Sequence, residues 1–457
     1  MGQYFFSDRQ RGFLGKSVAF VAITALLILL GAGNTSYASI AIHDARATAD
    51  YWTERNPNGE KSYLTYEQIV SVNQAIREKT SSLTDLMNYP QRIEGATLKE
   101  LILSAQQDFR EENTPGEHYD KGGVPITQDD YDTAKENCNL NSVSVKTDVR
   151  YGVVTMRTDM RLLPTPHYYY DDRDFQHYDD LQGTALDPCE PVLVLHTSRD
   201  GAFVFAVGRY YKGWVSLGAI GFTDRETWGK YVSPKNFLVV TDHKKKVHVG
   251  GAWDVLFQMG STIPLKSAQL QGDAYQAIIP VEVNGCLSES VVAIKADNTT
   301  SLGYLPCTPN NFVRQSMKFL GDVYGWGGME ESVDCSSYVQ DVYRSMGILL
   351  PRDADQQEIA MKNSVSLAGL HTAVRYQKTA EAPVGALLFK PGHVMLYLGR
   401  DAKGTPLAIH SASSYFTFSG GEAKKHYIRK VLVSDLTYQN RKAIQTIDGM
   451  TSIGSCF

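Results

Sequence analysis

The tetrapeptide Asp334-Cys335-Ser336-Ser337 constrains this chain more than any other segment. It stands at the head of an expected helix whose core stripe is Val339, Val342, Tyr343 and Met346, with Gly347 placed to end it. Cys335 therefore falls in the first turn. There the helix dipole and unpaired backbone N–H groups favour a thiolate and can donate to a developing oxyanion. A structural cysteine would more naturally sit mid-helix among apolar side chains. Downstream, Ala386-Leu387-Leu388-Phe389 reads as a strand, Lys390-Pro391-Gly392 as a turn, and His393 to Gly399 as the next strand. Leu407-Ala408-Ile409-His410 reads as a neighbour in the same antiparallel sheet. A sheet packed on the cysteine helix would bring His393 to the thiol as general base. His410 would then bind the far nitrogen of His393 and fix its tautomer. Either histidine alone reads most simply as structural. Together with Cys335, in the order Cys, His, His, they point to acyl transfer by a cysteine nucleophile.

The N-terminus carries an export pattern. Arg9, Arg11 and Lys16 precede an uncharged apolar run from Val18 to Ala32, and Ser36-Tyr37-Ala38 fits a small-x-small cleavage site before Ser39. An uncleaved N-terminal anchor is the alternative, although the run is short for a spanning helix. No cysteine follows the run, which argues against lipid attachment there. The expected location is outside the cytoplasm, in the periplasm or cell envelope or secreted. A chain of 457 residues suggests three or four domains, and a formal charge of −5 argues against nucleic-acid binding. The Lys244-Lys245-Lys246 triplet reads as a solvated hairpin tip. None of the six cysteines shows C-x-x-C spacing, so zinc and thioredoxin-type sites are not expected. Cys286 with Cys307 is a candidate disulfide of an exported chain.

Between these ends the hydrophobic period changes. Residues 39–147 read as mostly helical: Ile69, Val72 and Ile76 share a face of a run from Tyr66 to Lys79. Leu98, Leu101 and Leu103 fall in a second helix, and Asp129 to Cys138 forms a third. From about residue 148 short strands with turn residues between them suggest small barrels, the first over 148–230 and the second over 231–305. The acidic, tyrosine-rich stretch from His167 to Asp180 lacks the carboxylate spacing of a calcium loop and reads as a long barrel loop.

Residues 306–457 resemble an NlpC/P60 peptidase domain, a papain-like α+β fold acting on bacterial cell-wall peptides. The resemblance rests on Tyr324-Gly325-Trp326-Gly327-Gly328, Asp334-Cys335-Ser336-Ser337, Gly392-His393-Val394 and Ile409-His410. The upstream segments resemble a helical N-terminal clip followed by two bacterial SH3 domains. This arrangement is similar to that of γ-D-glutamyl-L-diamino-acid endopeptidases. What the resemblance implies is a multidomain thiol peptidase with a signal segment (1–38), needing no metal or cofactor. Its catalytic residues would be Cys335, His393 and His410. Its substrates would be peptidoglycan stem peptides with a free N-terminal L-Ala, or muropeptide fragments, cut between D-Glu and the diamino acid. The first SH3 domain would then form part of the substrate pocket rather than a remote anchor. By the same resemblance Tyr324 and Trp326 line the nucleophile, Asp334 precedes it, and Ser336 contacts the D-Glu α-carboxylate. Asp353 faces the substrate ammonium, and Tyr211 reaches the pocket from the first barrel. Asp353 also reads as a plain helix N-cap, and Ala354 stands where relatives carry Ser. Two rival readings are another acyl chemistry on this fold, such as an N-acetylmuramoyl-L-alanine amidase or a lipid acyltransferase, and a non-catalytic wall-binding protein.

Overall fold

The computed structural model describes residues 40–107, 117–251 and 253–457; the expected signal segment lies outside them. Helix α1 (Tyr66–Lys79) opens with a reciprocal capping box between Thr65 and Gln68 and buries Ile69, Val72 and Ile76, the face their spacing implies. Helix α2 (Gly95–Gln107) buries Leu98, Ile102 and Ala105, so its inward stripe is turned away from Leu103, which is exposed. Helix α3 (Gln128–Asn137) ends on Cys138 as C-cap. An antiparallel pair, Arg92–Glu94 with Lys146–Asp148, bridges the two ends of the segment. Strands of three residues are too short to show a period in sequence.

Strands β1 (Arg150–Val154), β2 (Thr158–Arg161), β3 (Gln182–Leu186), β4 (Pro191–Thr197), β5 (Phe203–Val207), β6 (Lys212–Ser216) and β7 (Ile220–Thr223) follow. They pair in the order β7-β1-β4-β5-β6-β2-β3. Val154, Val192, Val204, Val215 and Ile220 fill one side of this barrel. Leu193, Phe205 and Trp214, on the other side, share a core with Leu98, Ile102 and Tyr131 of the helical segment. The strands are therefore buried on both faces, which explains their near-continuous apolar runs.

Helix α4 (Arg225–Val232) leads into the second β unit. There β8 (Phe237–Val240), β9 (Lys244–Gly250), β10 (Trp253–Gln258), β11 (Thr262–Pro264), β12 (Ala274–Val283), β13 (Cys286–Lys295) and β14 (Thr300–Leu302) form a β9–β10 hairpin, a three-stranded sheet β11-β8-β14, and a β12–β13 hairpin that extends the first barrel's sheet where Cys286 pairs in parallel with Phe222 of β7. Lys244, Lys245 and Lys246 pair with Gln258, Phe257 and Leu256. The lysine triplet thus occupies the start of a strand, not a hairpin tip. The expected Cys286–Cys307 disulfide is absent: all six cysteines are free, Cys286 exposed in a strand and Cys307 buried. Sequence spacing carries no distance, and these two thiols lie in different units.

The C-terminal unit is α+β. Helices α5 (Pro309–Met317), α6 (Cys335–Arg344) and α7 (Ala354–Ala360) accompany six strands: β15 (Asn363–Ser366), β16 (Leu387–Lys390), β17 (His393–Arg400), β18 (Pro406–Ser419), β19 (Glu422–Ser434) and β20 (Ser452–Ser455). The sheet order is β15-β20-β16-β17-β18-β19, and α6 packs on β17 and β18.

A buried ionic cluster ties α6 to both barrels. Arg344 donates to Asp187 (3.0 Å), Glu190 (3.2 Å), Asp341 (3.0 Å) and the Met259 carbonyl (2.9 Å). Arg157 and Ser261 also donate to Asp187. Burial, with Asp187 nearby, pushes the Asp341 carboxyl up to about 7 despite Arg344. Removing the cation from such a cluster costs more than the cluster contributes, because the carboxylates stay buried. Arg344→Met is expected to destabilise the protein by about 3–5 kcal/mol at pH 8. The loss should shrink at pH 5.5, where protonated carboxyls no longer need the guanidinium. Urea midpoints at the two pH values check both the size and the sign.

Candidate active site

Asp334 is the N-cap of α6 and closes a reciprocal capping box with Ser337, the two bonds being 2.9 Å each. Cys335 is therefore the first helical residue, and its thiol lies against the backbone N–H of Val394, the residue after His393. The β16–β17 hairpin turns in two residues, Pro391 and Gly392, with Lys390 directly opposite His393. Gly392 sits at φ +69°, which a side chain would strain. This tight turn places His393 at the first position of its strand, beside α6.

The histidines meet as the sequence implies. His393 Nε2 lies 2.8 Å from His410 Nδ1, and His410 Nε2 lies 2.9 Å from the Ser434 hydroxyl. One set of tautomers uses every partner: His410 Nε2–H donates to Ser434, His393 Nε2–H donates to His410 Nδ1, and His393 Nδ1 keeps a lone pair for a proton. The Tyr438 ring stacks on His410 at 5.6 Å and 12°. Ser434 and Tyr438 escape sequence reasoning because a lone Ser or Tyr at a strand end carries no signal.

The electrostatics run against the helix terminus, which by itself favours a thiolate. Burial, then Asp334, pushes the Cys335 thiol up to about 12, against the backbone N–H groups of Val394 and Ser336. Burial also holds His393 well below its ordinary value, with His410 and Lys390 adding to the shift, and lowers His410 to about 3. Desolvation of a charge outweighs the helix terminus here. The resting pair is a neutral thiol beside a neutral imidazole.

A cavity of about 580 Å³ opens in front of the thiol. It is lined by Tyr211, Tyr324, Trp326, Asp334, Cys335, Ser336 and Asp353, which are all the sequence-derived residues except the two histidines, and by Gly392 next to His393. The first barrel forms one wall through Leu162, Asp180, Gln182, Gly183 and Tyr211. Gly183 is required there, since a Cβ would meet the Tyr211 ring at 2.4 Å. The Trp326-Gly327-Gly328 turn packs on β3. Gln182 donates to the Gly327 carbonyl (3.0 Å), and a Cβ on Gly328 would strike Ala185 at 2.6 Å. The Trp326 indole donates to the Asp179 carbonyl (3.1 Å), which docks the barrel loop on this turn.

Three charged residues of the cavity, Arg352, Asp180 and Asp355, were missed in sequence. Arg352 donates to both Asp334 oxygens (3.3 and 2.5 Å), to Ser336 (2.9 Å) and to Thr184 of β3 (2.9 Å). Burial raises the Asp334 carboxyl, but Arg352 and Ser337 hold it below its ordinary value. Asp180 accepts from buried His118 Nε2 (2.9 Å), whose Nδ1 meets Tyr131 at 2.5 Å, so the helical segment aims this carboxylate. Asp353 is the N-cap of α7 but makes no side-chain capping bond.

The comparisons with known proteins agree with this architecture. Residues 321–437 match the NlpC/P60 family model, and residues 166–216 match the model of an SH3 domain of the SH3b1 type. The C-terminal unit is an NlpC/P60 domain, and the first barrel carries an SH3b-type domain. The bifunctional muramidase/DL-endopeptidase CwlT of Bacillus subtilis is 32% identical over 132 residues, which are 27% of this chain and 34% of that protein. An NlpC/P60 endopeptidase from Photobacterium damselae subsp. piscicida has the same fold over 91% of this chain and 97% of its own, with TM-score 0.74 and 18% identity. An NlpC/P60 family protein from Bacillus cereus aligns over 66% of this chain and 98% of its own, with TM-score 0.46 and 16% identity.

A neutral resting pair has a measurable signature. The rate of Cys335 alkylation by iodoacetamide is expected to rise steadily from pH 6 to pH 10, because only the growing thiolate fraction reacts. A plateau beginning below pH 7 would instead mean a preformed thiolate–imidazolium pair. Mass spectrometry after timed quenching reads the modified cysteine directly.

Proposed function

We propose that this protein is a cysteine peptidase of peptidoglycan, cutting the γ-D-glutamyl–diamino acid bond of stem peptides whose L-Ala amine is free. The observation that carries the reading is the His393–His410 contact at 2.8 Å, on the strand that follows Gly392, beside a cavity whose lining includes Cys335, Asp353 and Asp180. Cys335 attacks the γ-carbonyl of D-Glu while His393 Nδ1 takes the thiol proton. Concerted transfer suits a site in which neither charged partner is stable beforehand. The backbone N–H groups at the head of α6 face the developing oxyanion. His393 then protonates the leaving amine, and water hydrolyses the thioester by the same base. His410, itself held by Ser434, keeps the imidazole in the productive tautomer.

Asp353 and Asp180 make the cavity favourable for an ammonium, and Tyr211 closes the side given by the barrel. An acetylated or glycan-linked L-Ala would present an uncharged amide to these carboxylates and forfeit a charge-assisted hydrogen bond. Ser336 directs its hydroxyl at Asp334 (3.2 Å), so a D-Glu carboxylate must compete for that proton. We read the four segments 39–147, 148–230, 231–305 and 306–457 as clip, first SH3 domain, second SH3 domain and peptidase, acting in the cell envelope. Among the described residues no helix is long and apolar enough to cross a membrane.

Incubation with L-Ala-γ-D-Glu-diaminopimelate and with its N-acetyl form, read by mass spectrometry, tests the proposal. Cleavage of the free-amine peptide to L-Ala–D-Glu is expected, with the acetylated peptide at least about 100-fold slower if a buried charge pair is lost. Release of intact L-Ala–D-Glu–diaminopimelate peptides from muropeptides would instead identify an amidase. Cys335→Ala is expected to abolish turnover while changing the free energy of unfolding by no more than about 1 kcal/mol.

A further inference from the structure

Lys390 is a half-buried lysine that the reaction above does not use. Residues directly opposite on an antiparallel pair project from the same face, so Lys390 and its partner His393 share the face turned to the thiol. Its ammonium lies 5.0 Å from the centre of the Tyr438 ring, the ring that stacks on His410. Among the described residues no carboxylate pairs with Lys390 and no hydrogen bond is recorded to its Nζ. Burial lowers it to about 8, with Cys335 opposing that shift, and its charge bears on both histidines. The fold therefore holds a cation at the base side of the nucleophile without an anion of its own, an arrangement with a cost unless something else supplies the anion.

The base protonates the leaving amine, so the amino acid carrying that amine lies on the base's side of Cys335. We propose that Lys390 binds a carboxylate of the departing diamino acid, which makes it a specificity-determining residue favouring peptides that end at that residue. The inference rests on the peptidase reading and deepens it by naming the leaving-side ligand: a free α-carboxylate. It also gives substrate a second effect. A bound carboxylate offsets the Lys390 charge, which adds to burial and His410 in holding His393 low, and so makes the imidazole a somewhat stronger base.

The test compares two peptides, L-Ala-γ-D-Glu-L-lysine with its C-terminal carboxylate free or as the primary amide, on the wild type, K390M and K390R. The wild type is expected to prefer the free acid by about 10–100-fold in kcat/KM, the worth of one charge-assisted hydrogen bond. K390M should lose most of that preference through the acid substrate, mainly in KM, and K390R should restore part of it. Equal rates of the wild type on acid and amide would overturn the inference and leave the peptidase reading standing. So would a preference retained in K390M, or an equal loss on both peptides. A wild type that cleaves neither these nor the diaminopimelate peptide sinks both.

Discussion

The Arg352–Asp334 pair holds four distant stretches of chain around one thiol. The guanidinium reaches the head of α6 through Asp334 and Ser336 and the first barrel through Thr184, 168 residues away in sequence. Asp334 in turn accepts from the Gly327 backbone (3.1 Å) and from Ser337. A buried ion pair of this kind contributes little net stability but is strongly destabilising when halved. Its effect is geometric. The carboxylate that caps the helix is the same one that anchors the glycine turn, so the first turn of α6 and the wall of the cavity cannot move independently. Cys335 sits between them and inherits their rigidity.

The same burial explains the chemistry of the resting site. A pair excluded from water resists ionisation from both ends: the thiol holds its proton and the imidazole declines it. Such a site carries little thiolate at neutral pH, so its reactivity toward electrophiles should be low there and rise with pH. The cavity lining carries carboxylates together with Arg352, which is bound to Asp334, while Lys390 lies outside that lining on the hairpin that bears His393.

How much of this was legible in sequence follows from how local each signal is. Caps and stripes lie within one helix turn, so α1, α6 and the Asp334 capping box are readable from Thr65, Gln68, Asp334 and Ser337. The Cys, His, His order and the Pro391-Gly392 turn place the nucleophile and base. The inward face of α2 is not legible from its leucines alone: Ile102 is buried and Leu103 exposed, because Ile102 shares a core with the barrel. The lysine triplet looked like a tip because charge runs usually are, yet its strand pairs along its length. Arg352, Asp180 and Ser434 have partners well away in sequence, Thr184, His118 and His410, and nothing local marks them.

The first barrel is a wall, not an appendage, and this limits what can reach the thiol. Asp180, Gly183 and Tyr211 come from it, and its loop is pinned across the Trp326 turn and onto the β18–β19 arm, where Phe175 stacks on Tyr427 at 3.9 Å. His177 and Arg429 both bind Glu330 beneath that stack. The aromatic stack, the Glu330 bonds and the Trp326–Asp179 bond together hold the barrel loop against the C-terminal unit, so the barrel wall of the cavity cannot shift without breaking contacts on both sides of the loop.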